Sequence, residues 1–365
     1  MIVKDESAVI KRCLDSVIDI IDYWVIVDTG STDGTQELIK EHLKDIPGEF
    51  YQSTWKNFGY NRSEAFEFAK GKGDYILFMD ADDVLEFSGE RTFGSLTQDL
   101  YNFWRGVEGF TYLKPQLVKA DLPWKWVGVT HEYLACEQLY TTALLTHVKY
   151  VSMEGGACSI HPTAKFQRNI ELLTEGIKEE PQNARYVFYL AESYRDAGER
   201  GNALEQYQRR VNMGGWEEEV FWSMLQIGHM LSLIGLPSNL VIEAYKMAHR
   251  FRPHRSEPAY YLAQIYIREK KYCQAYELLH EQRLIKKPFQ KDGLFNMDWI
   301  ESHGLVFQLS VCAYFMGFNE ESLDLSNQLL SQTKLPDSWR EQTLINRTYA
   351  LSNLKKKFFA EATIE

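Results

Sequence analysis

The 365-residue sequence lacks several patterns that identify whole classes of protein. Its five cysteines are widely spaced and include no CxxC pair, so neither a disulfide framework nor a zinc site is indicated. No apolar run approaches the roughly 20 residues that a membrane span needs, and the charged opening 1–6 does not resemble a signal peptide. The net charge of −11 argues against general binding of nucleic acids or anionic membranes, which requires basic patches. We therefore predict free thiols in a reducing, cytoplasmic compartment. The thiols are those of Cys13, Cys136, Cys158, Cys273 and Cys312.

The character of the sequence changes near residue 165. Residues 1–115 alternate short apolar strands with amphipathic helices, and further strands are predicted over residues 110–165, among them one over residues 124–134. This alternation predicts an α/β fold with a mostly parallel, Rossmann-like sheet, whose ligands bind beyond the carboxyl ends of the strands. We therefore predict an α/β domain over residues 1–165 and an all-α domain over residues 166–365.

The helical half contains a weak internal repeat. The pattern Leu190-Ala191-x-x-Tyr194 recurs 72 residues later, and a weaker copy near Gly228 lies between the two. A period near 36, with small residues between large ones, is close to the 34-residue tetratricopeptide pattern. A generic helical bundle is the alternative. Stacked repeats of this kind usually present a surface to a partner or pair with a second copy.

An apolar run ends in an Asp-x-Asp formed by Asp80 and Asp82. In an extended chain, residues i and i+2 project to the same side, so both carboxylates could point to one place beyond the strand. A divalent cation that also binds phosphate needs oxygen ligands and open positions, which this arrangement supplies. Acidic turns after strands are common, so an ordinary loop is the alternative for this run taken alone.

A second polar turn, Asp28–Thr35, follows another predicted strand. Its glycines and short hydroxyl side chains open a helix, where backbone N–H groups can hold a nucleotide; a simple capped turn is the alternative. The turn is neither a P-loop nor a G-x-G-x-x-G, so ATPase and NAD-binding functions lose their usual support. Because Asp28 and Asp80 both follow strands, the two acidic groups could face one crevice.

Three further positions could carry chemistry. Glu132, in the pair His131-Glu132 at the end of an aromatic-rich strand, could deprotonate an acceptor hydroxyl or thiol within hydrogen-bond reach. Arg62, near the start of a predicted helix, could contact a phosphate through two N–H groups. His161 could bind a metal or donate to a phosphate. For each of them a structural or surface role is the alternative.

Together these segments resemble the family 2 glycosyltransferases of the GT-A fold. The segments match in order and spacing over about residues 1–165, which is more specific than any single motif. Thr29 stands where many family members have a second acid, and the chain begins close to the end of the first strand. The helical half is similar to the tetratricopeptide region of a subset of the family, which includes enzymes similar to the bacteriocin S-glycosyltransferases. The matching segments are Met1–Glu6, Asp28–Thr35, Asn57–Arg62, Phe78–Asp83 and Gly128–Glu132.

The resemblance implies an inverting transfer from a nucleotide-diphosphate sugar, most often a UDP-sugar, with Mn²⁺ or Mg²⁺. Asp28 and Arg62 would then lie beside the nucleotide, and Asp80 near the ribose and the metal. Asp82 would bind the metal that bridges the diphosphate. Glu132 would occupy the position of the catalytic carboxylate, and it would deprotonate the acceptor.

The acceptor implied by the resemblance is a peptide, protein or glycan, and the helical repeats would dock it or pair two chains. His161 is a further candidate metal ligand. Two other functions stay open at this point. One is a tetratricopeptide scaffold that binds nucleotide without turnover. The other is a sugar-nucleotidyltransferase, although Lys4–Ser7 lacks the Gly-rich, Arg-containing loop usual in those enzymes.

Overall fold

The chain divides into two compact units, residues 1–206 and residues 207–365. This division by contacts does not test the predicted boundary at residue 165, which stays a prediction. No helix in the described part of the chain is long and apolar enough to cross a membrane. The computed structural model describes residues 1–107, 110–153, 155–156, 162–286 and 294–362.

Strands dominate the described part of residues 1–151, with three helices among them. The strands are β1 (Ile2–Val3), β2 (Trp24–Asp28), β3 (Gly48–Gln52), β4 (Tyr75–Leu77), β5 (Val84–Phe87), β6 (Leu100–Val107), β7 (Phe110–Lys119), β8 (Trp124–Val127), β9 (Tyr133–Cys136) and β10 (Thr142–Val151). The helices are α1 (Ile10–Asp15), α2 (Thr35–His42) and α3 (Phe58–Ala69).

The first sheet has the predicted parallel arrangement. Its order is β1-β2-β3, and both pairs are parallel. Val3 and Ile26 of the sheet pack with Ile10 of α1 and Ile39 of α2 in one buried cluster, and each such side chain contributes about 1.5–3 kcal/mol when fully buried. Parallel pairing brings the carboxyl ends of β1 and β2 to the same edge, where Asp28 ends β2.

The second sheet is mostly antiparallel, which differs from the predicted mostly parallel arrangement. Its order within the first unit is β7-β6-β10-β5, with β4 also pairing with β7, and only β6 and β10 run parallel among these strands. The cause is the spacing along the chain: β6 ends at Val107 and β7 begins at Phe110. So short a connection permits only antiparallel pairing.

The predicted strand over residues 124–134 is instead a hairpin. Strands β8 and β9 pair antiparallel on either side of residues 128–132. Gly128 has a φ of 121° and His131 a φ of 49°, and a continuous strand cannot accommodate such angles. Glu132 therefore lies in the connection, directly before β9.

From Pro162 onward the described chain is almost entirely helical. Helices that follow one another, within the pair α4–α5 and from α7 through to α13, pack as neighbours. A two-residue strand, β11 (Asn296–Met297), and a π-helical turn (Ile300–Gly304) precede α11. The helices are α4 (Pro162–Glu179), α5 (Ala184–Asp196), α6 (Arg200–Met213), α7 (Glu217–Ile234), α8 (Ser238–Phe251), α9 (Glu257–Arg268), α10 (Tyr272–Leu284), α11 (Leu305–Phe315), α12 (Asn319–Leu330) and α13 (Asp337–Ala362).

Small residues sit at the contacts between these helices, as the repeat predicted. Ala263 of α9 and Ala275 of α10 are fully buried. A Cβ placed on Gly228 of α7 would lie 2.4 Å from the Tyr245 ring of α8, so only glycine permits this approach. The predicted fold class, an α/β domain with a sheet followed by a tetratricopeptide-like helical domain, is confirmed.

Candidate active site

The turn Asp28–Thr35 is fixed to the segment that follows β1. The backbone N–H of Asp5 donates to Ser31 Oγ at 2.9 Å, and the backbone N–H of Thr32 donates to Asp5 Oδ1 at 2.8 Å. The ends of two neighbouring parallel strands are thereby joined. The turn is an ordered edge of the first sheet.

Asp28 uses its two carboxylate oxygens differently. The side chain is 1% exposed, and Oδ1 accepts hydrogen bonds from the backbone N–H groups of Gly30 and Ser31, each at 2.9 Å. Gln36 Nε2 donates to the same oxygen at 3.2 Å. Oδ2 is buried and has no hydrogen-bond partner within the described residues. Because an unpaired buried polar atom costs free energy, an N–H donor from a bound molecule would stabilise it.

Helix α3 places Arg62 through a well-fixed first turn. The side chain of Asn57 caps the helix by accepting a hydrogen bond from the backbone N–H of Tyr60 at 2.8 Å. Asn61 is completely buried and donates through Nδ2 to the carbonyl of Thr54 at 3.1 Å. The Arg62 guanidinium lies over the Trp126 ring of β8, 5.5 Å from its centre. These contacts leave the guanidinium little conformational freedom.

Arg62 joins two carboxylates that are far apart in the sequence. Its Nη2 forms an ion pair with Asp80 Oδ1, and its Nε lies 2.6 Å from Glu132 Oε1. The side chains of Arg62 and Glu132 are only 12% and 8% exposed, so water screens the pair weakly. Three positions that were predicted separately therefore meet in one partly buried site.

Asp80 is surrounded by positive charge. Besides Arg62 on Oδ1, Arg105 Nη1 lies 3.0 Å and Lys114 Nζ 3.2 Å from Oδ2. The backbone N–H of Asp80 donates to the Tyr150 hydroxyl at 2.8 Å. Burial alone would raise the pKa of Asp80, but the charges of Arg62, Lys114 and Arg105 hold that pKa well below its ordinary value. Asp80 is therefore ionised, with both oxygens engaged by cations.

Asp82 has a different environment, because the chain turns after β4. The backbone N–H of Asp83 donates to the carbonyl of Asp80 at 3.2 Å, so the expected extended Asp-x-Asp is a turn. A Cβ added to Gly156 would lie 2.5 Å from Asp82 Oδ2, so the carboxylate lies directly against that glycine. Burial and the charge of Asp80 raise the pKa of Asp82. Among the described residues, no cationic side chain forms an ion pair with it.

The connection that carries Glu132 is held by the start of α3. The backbone N–H of Phe58 donates to the carbonyl of Val129, and that of Gly59 to the carbonyl of Gly128, each at 3.2 Å. A Cβ on Gly59 would lie 2.3 Å from the Gly128 carbonyl oxygen. The helix that positions Arg62 thus also positions its partner Glu132.

We expect Gly59→Ala to displace this connection. The added methyl group must push away the Gly128 backbone, which should cost about 1–3 kcal/mol of unfolding free energy, as overpacking does. Thermal or denaturant unfolding measures this loss. Gly201→Ala is the matched control, because Gly201 lies in helix α6 with open space around its Cα, and this change should be neutral or slightly stabilising. Equal stability of the two variants would contradict the close contact.

Helices α4 and α5, which form the first helical hairpin, also contact the connection between β8 and β9. Arg185 Nε of α5 donates to the carbonyl of His131 at 3.1 Å, and the His131 ring stacks on Tyr189 with 4.0 Å between ring centres. Val129 packs against the apolar cluster that α4 and α5 form. His131, singled out with Glu132 in the sequence, therefore makes a packing contact while its neighbour faces Arg62.

Three residues of the site had no motif to reveal them, namely Arg105 on β6, Lys114 on β7 and Tyr150 on β10. Asp83, the last residue of the matching segment Phe78–Asp83, forms an ion pair with Arg105 Nη2 at 2.5 Å. The available signal was a charged residue within each of two strands otherwise rich in apolar side chains. His161, the remaining predicted metal ligand, lies outside the described residues.

Residues 1–88 match the family model described as glycosyl transferase family 2. Over these residues the chain is similar to family 2 glycosyltransferase domains. The match includes Asp28, Arg62, Asp80 and Asp82, whereas Glu132 lies beyond it. The glycosyltransferase resemblance of the sequence is thereby confirmed.

Two curated relatives are named as glycosyltransferases. The SPbeta prophage-derived glycosyltransferase SunS of Bacillus subtilis (strain 168) is 26% identical over 242 residues, which are 58% of this chain and 52% of the relative. An uncharacterized glycosyltransferase of Rickettsia felis is 24% identical over 233 residues, 61% of this chain and 77% of that protein. The chain thus spans about half the length of SunS.

Other matches are to tetratricopeptide repeat proteins and to MamA. A TPR repeat-containing protein of Synechococcus elongatus is 37% identical over 86 residues, 23% of this chain and 20% of that protein. Among solved structures, MamA is 16% identical with a TM-score of 0.35, covering 56% of this chain and 98% of its own. A thermophilic TPR protein from Thermus thermophilus is 14% identical, also with a TM-score of 0.35, covering 51% of this chain and 93% of its own.

Proposed function

We propose that the chain is an inverting glycosyltransferase that moves a sugar from a nucleotide-diphosphate sugar to a peptide, protein or glycan. The donor that we propose first is a UDP-sugar. The observation that carries the proposal is the bridge that Arg62 forms between Asp80 and Glu132. It brings the donor-side and acceptor-side carboxylates of the predicted mechanism into one site. The family 2 match over residues 1–88 supports the same function.

The donor base would lie at the turn Asp28–Thr35. Asp28 Oδ2 is buried and has no partner in the described chain, and it can accept the N–H of a bound base such as uracil. Oδ1 of the same carboxylate already holds the turn, so binding would leave the turn in place. A base that presents an acceptor at this position would be disfavoured, because two acceptors would then face each other.

The residues at Asp82 fit a divalent cation. A cation that also binds a diphosphate needs only one or two protein carboxylates, and Asp82 offers one that forms no ion pair with a described cationic side chain. The described residues contain no cluster of three His, Cys, Asp or Glu side chains arranged for a metal, so the diphosphate and water would supply further ligands. Mn²⁺ or Mg²⁺ bound there would offset the negative charge of the leaving diphosphate. Asp80 as a second ligand stays a prediction, since its oxygens contact three cationic side chains.

Glu132 would act as the general base. The acceptor hydroxyl or thiol attacks the anomeric carbon from the side opposite the diphosphate, and its proton passes to the Glu132 carboxylate. The bond from the anomeric carbon to the diphosphate oxygen breaks, and its electron pair leaves with the phosphate. Glu132 contacts Arg62 through one oxygen in the structure, so the other oxygen is available to the acceptor.

A panel of nucleotide sugars tests the proposal. With Mn²⁺ present, we expect one donor class to yield a nucleoside diphosphate, UDP or GDP, by slow transfer to water or faster transfer to an acceptor. Release of pyrophosphate instead would indicate a nucleotidyltransferase. Binding of nucleotide with no release from any donor, across acceptor peptides and glycans, would indicate a scaffold without turnover. Docking of the acceptor on the helical repeats, or pairing of two chains through them, stays a prediction.

A further inference from the structure

Lys114 is a largely buried lysine at the centre of the site. It lies on β7, its side chain is 19% exposed, and Nζ donates to Asp80 Oδ2 at 3.2 Å. An ammonium group has three N–H donors, and this is the one hydrogen bond that the described chain gives it. Two of its N–H groups therefore have no protein acceptor within the described residues.

Arg105 differs from Lys114 although it contacts the same oxygen. Its Nε donates to Ser152 Oγ at 3.0 Å, its Nη1 to Asp80 Oδ2 at 3.0 Å and its Nη2 to Asp83 at 2.5 Å. All three edges of its guanidinium are occupied, which fixes it. Arg105 is a positioning residue that holds Asp80, whereas Lys114 has donors left for a ligand.

The surrounding charges make a further anion favourable at Lys114. Burial and the repulsion of Arg105 and Arg62 lower the pKa of its ammonium to about 8, with Asp80 as the partner that opposes this. A buried cation with a single anionic contact is poorly compensated. A phosphate oxygen would supply the missing acceptor, and it would compensate the charge without removing Asp80 from the Arg62 and Arg105 contacts.

We propose that Lys114 is a catalytic residue for the glycosyl transfer, an inference that rests on the proposed function. Its ammonium binds an oxygen of the donor diphosphate and stabilises the charge that develops there as the bond to the sugar breaks. The acceptor supplies the new bond to the anomeric carbon, the electron pair of the broken bond stays on the phosphate, and the acceptor proton goes to Glu132. Lys114 keeps its three protons throughout.

The test compares Lys114→Met with Lys119→Met. Lys119 is on the same strand, is 44% exposed and pairs only with Asp121, at 3.5 Å, so it controls for loss of a lysine from β7. Calorimetric titration with UDP and with uridine, in the presence of Mn²⁺, separates diphosphate contacts from base contacts. GDP and guanosine replace them if the donor panel identifies a GDP-sugar.

We expect Lys114→Met to weaken UDP binding by about 10–100-fold, the range for losing a hydrogen bond to a charged group. Uridine binding should stay within about twofold of wild type, and Lys119→Met should change neither. Lys114→Arg should recover part of the UDP affinity, which also covers the case in which the methionine variant fails to fold. Unchanged UDP binding, or equal losses for UDP and uridine, would overturn the assignment.

The failure of this assignment can be told apart from the failure of the proposed function. If wild type releases no nucleoside diphosphate from any donor, the proposed function fails. If wild type does release it and Lys114→Met matches the control, only the assignment of Lys114 is wrong.

Discussion

Replacing Asp82 with asparagine is expected to abolish Mn²⁺-dependent release of nucleoside diphosphate while the protein stays folded. Asp82 is a half-buried carboxylate that forms no ion pair with a described cationic side chain, and the amide that replaces it carries no charge to bind a divalent ion. The fold should tolerate the change, because asparagine has nearly the same shape. Initial rates over a range of Mn²⁺ concentrations measure the effect, and thermal unfolding shows whether the variant is intact.

Asp121→Asn is the matched control for this prediction. Asp121 is an exposed aspartate whose ion pair is with Lys119, away from the cluster around Asp80. It should show the same rates and the same Mn²⁺ dependence as wild type. Activity of Asp82→Asn near the level of this control would refute the assignment of Asp82 as metal ligand.

Glu132→Gln is expected to lower the transfer rate by roughly 10²–10⁴-fold, the usual range for losing a general acid or base. The amide cannot accept the acceptor proton, but it fits the same space and can still contact Arg62. Donor affinity should change little, because Arg62 keeps its pair with Asp80. Steady-state kinetics with a saturating acceptor measure the rate, and titration with UDP measures donor binding.

Glu137→Gln serves as the control here, because Glu137 is exposed just beyond β9 on the same hairpin. It should be indistinguishable from wild type in both measurements. A Glu132→Gln variant that loses donor binding yet transfers normally when saturated would assign Glu132 to the support of Arg62. The general-base role would then be wrong.

The sequence predicted the carboxylates of the site better than it predicted their surroundings. The family resemblance gave Asp80 and Glu132 roles in the same reaction, and it therefore predicted that the two carboxylates share one site. The sequence did not predict the cations of the site, because Arg105 and Lys114 come together at Asp80 through the pairing of β6 with β7. No local motif indicates that pairing. Burial of Asp28 with one oxygen unpaired also depends on tertiary packing.

The predicted backbone geometry was wrong at two places where the chain turns. The Asp-x-Asp was expected in extended form, and the structure closes it into a turn with a hydrogen bond from Asp83 to Asp80. The hairpin at Gly128 and His131 was expected as one strand, because its aromatic residues favour a strand and only the glycine signals the break. Both errors concern positive φ angles or turns between short strands, which composition specifies weakly.

In the helical half, too, the sequence predicted some features correctly and others not. Its small residues and period predicted the packing of helix pairs, which is found. The acidic run Glu217–Glu219 has the composition of a solvated helix end, whereas Glu219 is buried and pairs with Arg210 at 3.0 Å. The predicted end of the first domain at residue 165 would remove the helices that pack on Val129, so a fragment ending there would expose apolar surface beside the Glu132 connection.

The configuration of the sugar released from its donor tests the central claim most directly. An α-linked nucleotide sugar, hydrolysed slowly by the wild-type protein with Mn²⁺, should first yield the β-anomer, because direct attack opposite the diphosphate inverts the anomeric carbon. Proton NMR in the first minutes, before the anomers equilibrate, detects it. An α-anomer as the first product would contradict the single displacement with Glu132 as base, and no nucleoside diphosphate from any donor would contradict glycosyl transfer itself.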